Sequence, residues 1–167
     1  MEKFKVFNLN KSKTSTGYSC EVFTHEIGKD IDSELVEEVE FYLKKGAIRG
    51  LFYSEEPMSK LVRCSYGKSL NVIVDLRKKS DDFGKKYYFN LTQENGKCLW
   101  IPDGYAHGFQ ALEEHCILSY KCSNYYDEEL SKNISPKDEK LDIRWTRGNH
   151  VFDQKDLDGI SFNDYND

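Results

Sequence analysis

The chain has 167 residues, with 24 basic and 29 acidic side chains and a formal net charge of -5. This length suits one domain, and the mild acid excess argues against a protein that grips nucleic-acid backbones irrespective of sequence. It leaves room for a small anion held by a few placed cations. Hydrophobic residues make up 38% and aromatic residues 14% of the chain, with 11 Tyr, 10 Phe and 2 Trp. Aromatic surface on that scale supports a folded core rather than a disordered chain.

No apolar run approaches the roughly 20 residues that cross a bilayer. The start, Met1 to Phe7, has no apolar leader core. Five cysteines (Cys20, Cys64, Cys98, Cys116 and Cys122) are scattered, odd in number and without a C-x-x-C pair. Reduced thiols in a cytoplasmic protein are the expectation, with no membrane contact and no zinc site.

In chain order, Asp32 to Leu43 (DSELVEEVEFYL) reads as one helix capped by Asp32 or Ser33, or equally as an acidic loop leading into a strand. Lys60 to Tyr66 leans towards strand, and Gly67-Lys68 is a turn. From Leu70 to Arg77 the period is two: Leu70, Val72, Val74 and Leu76 share one face, and Asn71, Ile73, Asp75 and Arg77 the other. Lys85 to Thr92 is aromatic and strand-forming, followed by a turn at Glu94-Asn95-Gly96. Leu99 to Phe109 is an apolar run broken by Pro102-Asp103-Gly104, with His107 just before Gly108. Cys116, Leu118, Tyr120 and Cys122 alternate with Ile117, Ser119 and Lys121. Beyond Leu141 there is room for two short strands at most, then an acidic tail. Short strands separated by turns predict an all-β sandwich or barrel with few short helices.

The four histidines, His25, His107, His115 and His150, show no H-x-H or H-E-x-x-H spacing, so no metal is expected. There is no G-x-S-x-G and no glycine-rich phosphate loop, which removes support for acyl and phosphoryl transfer. No cofactor is expected. Taken alone, His107 fits a hydrogen-bonded residue in a turn between core strands.

Six segments in order give a sharper reading. Arg49-Gly50-Leu51, Lys60-Leu61-Val62-Arg63, Val74-Asp75-Leu76-Arg77-Lys78 with Phe83-Gly84-Lys85, Leu91-Thr92 with Glu94-Asn95, Leu99 to Phe109, and Tyr120-Lys121-Cys122 with Asn124-Tyr125-Tyr126 resemble the motifs of the dTDP-4-dehydrorhamnose 3,5-epimerase family. Lys155-Asp156 fits a late K-D of the same family. The resemblance implies a cupin or jelly-roll domain spanning 1–167, with residues 1–45 as an arm for dimer and nucleotide contacts and 157–167 as a tail. It implies a homodimer and a nucleotide-diphosphate sugar as ligand. The implied reaction removes a proton beside the ketone of a 4-keto-6-deoxy sugar and returns it from the opposite face.

That chemistry needs a base, an acid across the ring and a cation on the oxygen that becomes an enolate. By resemblance Lys60 supports the keto oxygen, Tyr120 reprotonates the ring and Asp156 orients the base. His107 lies in the sugar pocket, Arg49 near the phosphates or sugar, and Tyr126 and Glu21 at the nucleotide.

The family's basic histidine, however, is Phe52 here, which cannot accept a proton and leaves Asp156 beside an apolar ring. Thr16 stands where the family has an arginine, and Glu37, Glu38 and Glu40 fill a segment where the family reads Q-D-N-H-S. Each carboxylate near a diphosphate costs on the order of 1 kcal/mol at a surface. Three readings follow: an epimerase with a shifted base such as Asp156 or Glu40; a different isomerisation or binding reaction on a related keto sugar; or a degenerate sugar-binding cupin or regulatory partner.

Overall fold

The computed structural model describes residues 3–31 and 33–166. The chain opens with β1 (Lys5–Asn8), β2 (Asn10–Thr14), β3 (Gly17–Glu21) and α1 (His25–Ile31). The central strands are β4 (Glu37–Leu43), β5 (Ala47–Ser54), β6 (Lys60–Tyr66), β7 (Lys68–Asp75) and β8 (Lys86–Thr92). After them come β9 (Lys97–Ile101), β10 (Tyr105–Ala111), β11 (Cys116–Cys122) and β12 (Ser131–Asn133). Last are β13 (Val151–Phe152), α2 (Gln154–Leu157) and α3 (Phe162–Asn166).

Two sheets face one another. One has the order β1-β9-β6-β11-β4; the other has the order β12-β5-β10-β7-β8, with β13 also on β5. Val62, Leu99 and Leu118 from the first sheet meet Ile73, Leu91 and Phe109 from the second in one buried core. This is the all-β, jelly-roll arrangement that the resemblance implies. Among the described residues, β2 and β3 pair only with each other.

The helix expected over 32–43 is not formed; residues 37–43 are strand β4, so the loop-then-strand alternative is the one adopted. Helical and strand periods both fit this segment. Val39, Phe41 and Leu43 alternate with Glu38, Glu40 and Tyr42, and pairing with β11 from Cys122↔Glu37 to Cys116↔Leu43 favours the strand. Ser33 therefore caps no helix, and Asp32 lies outside the described residues. The helix falls earlier, at α1. Thr24 caps it, its Oγ1 accepting from the Ile27 amide at 3.3 Å. Ile27 and Ile31 then pack over Leu61, Cys98 and Trp100 on the outside of the first sheet.

β7 corrects a simpler picture of inside and outside. Its apolar face, with Val74 and the following Leu76, packs under the C-terminal segment against Ile134, Leu141 and Phe162. Its mixed face, with Asn71 and Ile73, looks into the sandwich, where Ile73 joins the core and Asn71 bonds His107. A strand covered on both sides carries no simple polar face.

A bulge in β5 shapes the site. His107 pairs with Phe52 and Phe109 with Arg49, so three steps along β5 match two along β10. The extra residue changes the parity, and Arg49 and Phe52 come to line the same cavity. Gly50 permits this: its φ is +106°, and a Cβ there would lie 2.6 Å from the His107 carbonyl oxygen and 2.7 Å from the Gly108 Cα.

Candidate active site

At one end of the sandwich lies a cavity of about 450 Å³. One wall is regular. β6 brings Lys60, β11 brings Tyr120 and Cys122, and β4 brings Glu37, Val39 and Phe41. Alternation puts these side chains on one face because each strand keeps its period of two. The other wall is the bulged β5, with Arg49 and Phe52, and α2, with Asp156.

The sequence-predicted residues distribute as follows. Lys60, Tyr120, Asp156, Arg49, Phe52 and Tyr126 all line this cavity, Tyr126 as an exposed side chain. Lys60 Nζ lies 5.6 Å from the centre of the Tyr120 ring. His107 does not line this cavity. It lies in the wall of a neighbouring void of about 30 Å³, which shares Lys60, Tyr53 and Met58 with the larger one. Pairing of β10 with both β5 and β7 holds His107 deeper, at 1% exposure.

Glu21 is not in the cavity of this chain. It ends β3, on the separate β2–β3 hairpin, and accepts a hydrogen bond from the Asn10 amide at 2.9 Å. Glu40 is also displaced: it lies on the opposite face of β4 from the cavity and cannot act as the shifted base. The expected cluster of three carboxylates reduces to one. Glu37 lines the cavity, whereas Glu38 turns outward to accept from Ser119 at 2.8 Å and from Lys121 at 2.6 Å.

Asp156 does not stand alone beside the Phe52 ring. Its Oδ2 accepts from Arg49 Nε at 2.6 Å and from the Gly50 amide at 3.1 Å. The Arg49 guanidinium lies 5.6 Å from the ring centres of both Phe41 and Phe52. Two aromatic faces and one carboxylate thus hold it in place. The carboxylate's side-chain partner is therefore the arginine and not the Phe52 ring.

Burial sets the protonation of the rest. It pushes the Tyr120 hydroxyl far above its ordinary range, so the phenol is a neutral proton donor at pH 7. Burial lowers Lys60, opposed only by the Cys122 thiol. Burial also holds His107 well below 6.5, with Lys60 adding to the effect. His107 Nε2 faces Asn71 Oδ1 at 3.0 Å, and the Asn71 amide nitrogen is turned to Ser69. That geometry makes Nε2 the donor and leaves Nδ1 as a buried acceptor with no hydrogen-bond partner. No cluster of metal ligands occurs among the described residues.

Sequence reasoning named Glu37 near the ligand together with Glu38 and Glu40, and it passed over Cys122 and Asn133 as cavity residues. The alternation of Glu37, Val39 and Phe41 could have separated the first from its neighbours, and Cys122 shares its face with Tyr120. Asn133, on the three-residue strand β12, gives no signal of its own.

The model of the dTDP-4-dehydrorhamnose 3,5-epimerase family matches residues 1–164. The chain belongs to this family. It is 36% identical over 162 residues to the dTDP-4-dehydrorhamnose 3,5-epimerase of Shigella flexneri, covering 96% of this chain and 88% of that one. It is 39% identical over 132 residues to the enzyme of that name from Methanothermobacter thermautotrophicus, covering 77% and 71%. Among solved structures it resembles the dTDP-6-deoxy-D-glucose-3,5-epimerase of Legionella pneumophila in complex with dTDP-4-keto-L-rhamnose. There the TM-score is 0.91 at 30% identity, covering 96% of this chain and 88% of that one. The dTDP-4-dehydrorhamnose 3,5-epimerase of Elizabethkingia anophelis gives a TM-score of 0.90 at 29% identity, covering 99% and 94%.

Proposed function

We propose that this protein is an epimerase of nucleotide-linked 4-keto-6-deoxy sugars, acting in deoxysugar biosynthesis for surface polysaccharides. One observation carries the reading: a phenol and a carboxylate, Tyr120 and Asp156, line one cavity from opposite walls, with the Lys60 amine beside the phenol. Inversion beside a ketone needs a proton acceptor on one face of the ring and a donor on the other. In this proposal Asp156 replaces the histidine as base, and Tyr120 returns the proton. Lys60 supports the oxygen on which charge develops. Arg49 orients Asp156 through their 2.6 Å pair, and Tyr126 meets the nucleotide at the cavity mouth.

The same reading makes the protein a cytoplasmic homodimer, since the family resemblance implies an N-terminal arm that exchanges between protomers. The β2–β3 hairpin, isolated from the main sheets, suits such an arm and would bring Glu21 to a partner's nucleotide.

The test is solvent deuterium. The protein is incubated with dTDP-4-keto-6-deoxyglucose in heavy water, and the sugar mass is followed. The expected result is uptake by the parent that disappears in Tyr120→Phe and in Asp156→Asn. The number of deuterons counts the carbons touched. Silence from the parent with uptake by Phe52→His would overturn the shifted base and favour a sugar-binding protein that has lost its turnover.

A further inference from the structure

β11 ends at Cys122, and residues 123–130 then run from one wall of the cavity to the other before the chain enters β12. The start of this segment is firm. The Ser123 amide donates to the Ser59 carbonyl at 3.0 Å, and the Ser59 amide donates to Ser123 Oγ at 2.9 Å. Its far end is also held. Lys155 pairs with Glu128 at 2.9 Å, and the Ser131 amide donates to the Asp127 carbonyl at 2.9 Å. Between these points stand Asn124, Tyr125 and Tyr126, both tyrosines with exposed rings. The Tyr125 amide is satisfied locally, by Asn124 Oδ1 at 2.9 Å. The Tyr126 amide instead reaches across to the first residue of β4, donating to Glu37 Oε2 at 3.1 Å. Among the described residues no other hydrogen bond ties 124–126 to either wall.

Glu37 has no cation as partner among the described residues, and its charge works against an anionic ligand. What it supplies is an acceptor. A carboxylate makes a stronger bond to an amide N–H than a neutral acceptor does. A segment fixed before the ligand arrives also loses less freedom on binding, whereas an exposed ring on an untied loop has to be ordered by the ligand itself. Proton return does not depend on Glu37: burial, more than the nearby carboxylate, keeps the Tyr120 phenol neutral at pH 7.

We propose that Glu37 is a positioning residue, holding the Tyr126 amide and through it the Tyr126 ring at the cavity mouth where the nucleotide binds. The inference rests on reading this cavity as a nucleotide-sugar site. Glu37 touches neither the nucleotide nor the reacting carbon, so its loss weakens binding and leaves the chemistry in place.

The test compares Glu37→Ala, Glu37→Gln, Tyr126→Ala and the Glu37→Ala/Tyr126→Ala double variant in the full-length protein, with folding checked by thermal unfolding. Without ligand, hydrogen exchange of the Tyr126 amide, followed by NMR, should be about tenfold faster in Glu37→Ala. Glu37→Gln keeps an acceptor and should restore the protection. With dTDP-4-keto-6-deoxyglucose, Glu37→Ala should raise the KM for deuterium exchange by about 3–10-fold and leave kcat within about twofold. Glu37→Gln should bring KM back to the parent's value or below it, since a negative charge has gone. In the Tyr126→Ala background, Glu37→Ala should add nothing further. A full additional effect there would mean that Glu37 meets the ligand directly, and a lower KM in both Glu37 variants would mean that it acts by repulsion alone. Either result overturns the proposal, as does an unchanged Tyr126 amide or an unchanged KM in Glu37→Ala. A parent that exchanges no deuterium overturns the epimerase reading, and the same comparison is then read from the affinity for dTDP by calorimetry. A parent that does not bind dTDP overturns both.

Discussion

The two walls of the cavity were built by different means. The wall formed by β4, β6 and β11 is an antiparallel sheet that keeps its register from Leu118 to Cys122, beyond a shift at Ile117, and there Lys60, Tyr120 and Glu37 share a face by simple alternation. The wall formed by β5 and α2 is irregular. A bulge at Gly50 brings Arg49 and Phe52 to the cavity together, and Asp156 arrives from a segment 107 residues further along the chain. The regular wall retains the amine and the phenol that the family resemblance assigns. The irregular wall carries Phe52, where the resemblance leads one to expect a histidine, and the Arg49–Asp156 pair.

The largest predicted effect lies on the regular wall. Tyr120→Phe removes one oxygen from a buried ring and should lower deuterium exchange by about 10²–10⁴-fold, with thermal unfolding little changed. Exchange within about threefold of the parent would assign proton return to another group. The next effect tests the irregular wall. Gly50→Ala puts a Cβ against the backbone of β10 at a φ of +106°. It should cost about 3 kcal/mol and lower the Tm by about 6–12 °C. An unchanged Tm would mean that the bulge relaxes without the glycine.

Phe52→His adds an imidazole to the irregular wall. The new ring would compete with Arg49 for Asp156, and exchange should rise by about 10–100-fold, a part of what general base catalysis supplies. A fall in exchange would show that the new ring disturbs the Arg49–Asp156 pair more than its imidazole helps. That outcome would place the proton acceptor on the irregular wall and the donor on the regular one.

The regular wall was legible in the sequence. Lys60 to Tyr66 and Cys116 to Cys122 are strands with the expected bounds, and their alternation already put Tyr120 with Leu118 and Cys122. The other wall was not. Its residues were named by motif, but nothing in the string Arg49-Gly50-Leu51-Phe52 announces which of them share a face, since a bulge shifts parity without a unique sequence signature. The Arg49–Asp156 pair depends on long-range folding and could not be read locally. The acidic segment at 37–40 misled for a related reason. As a helix or loop it would have crowded three carboxylates near the ligand; as a strand it sends Glu38 and Glu40 outward and leaves Glu37 in the cavity.

The smallest effect concerns His107, which stands on β10 between the two walls. Its imidazole is held neutral by burial and by Lys60, well below the ordinary 6.5. Above about pH 6.5 neither the folded nor the unfolded chain carries charge there, and the group contributes nothing. Below it the unfolded chain takes up a proton that the folded chain cannot. Stability therefore falls as the pH drops, by up to about 1.4 kcal/mol per pH unit until the folded-state value is reached. Asp75 acts in a different window. Burial raises its carboxyl, but hydrogen bonds from Arg77 and Ser80 outweigh that and hold it below 3.8, so its contribution is lost only under acid conditions. Urea titrations between pH 7 and pH 5 should then show a decline in the parent that is shallower in His107→Gln. Equal slopes would mean that His107 takes up its proton in place, with the void beside it admitting enough water to solvate the charge.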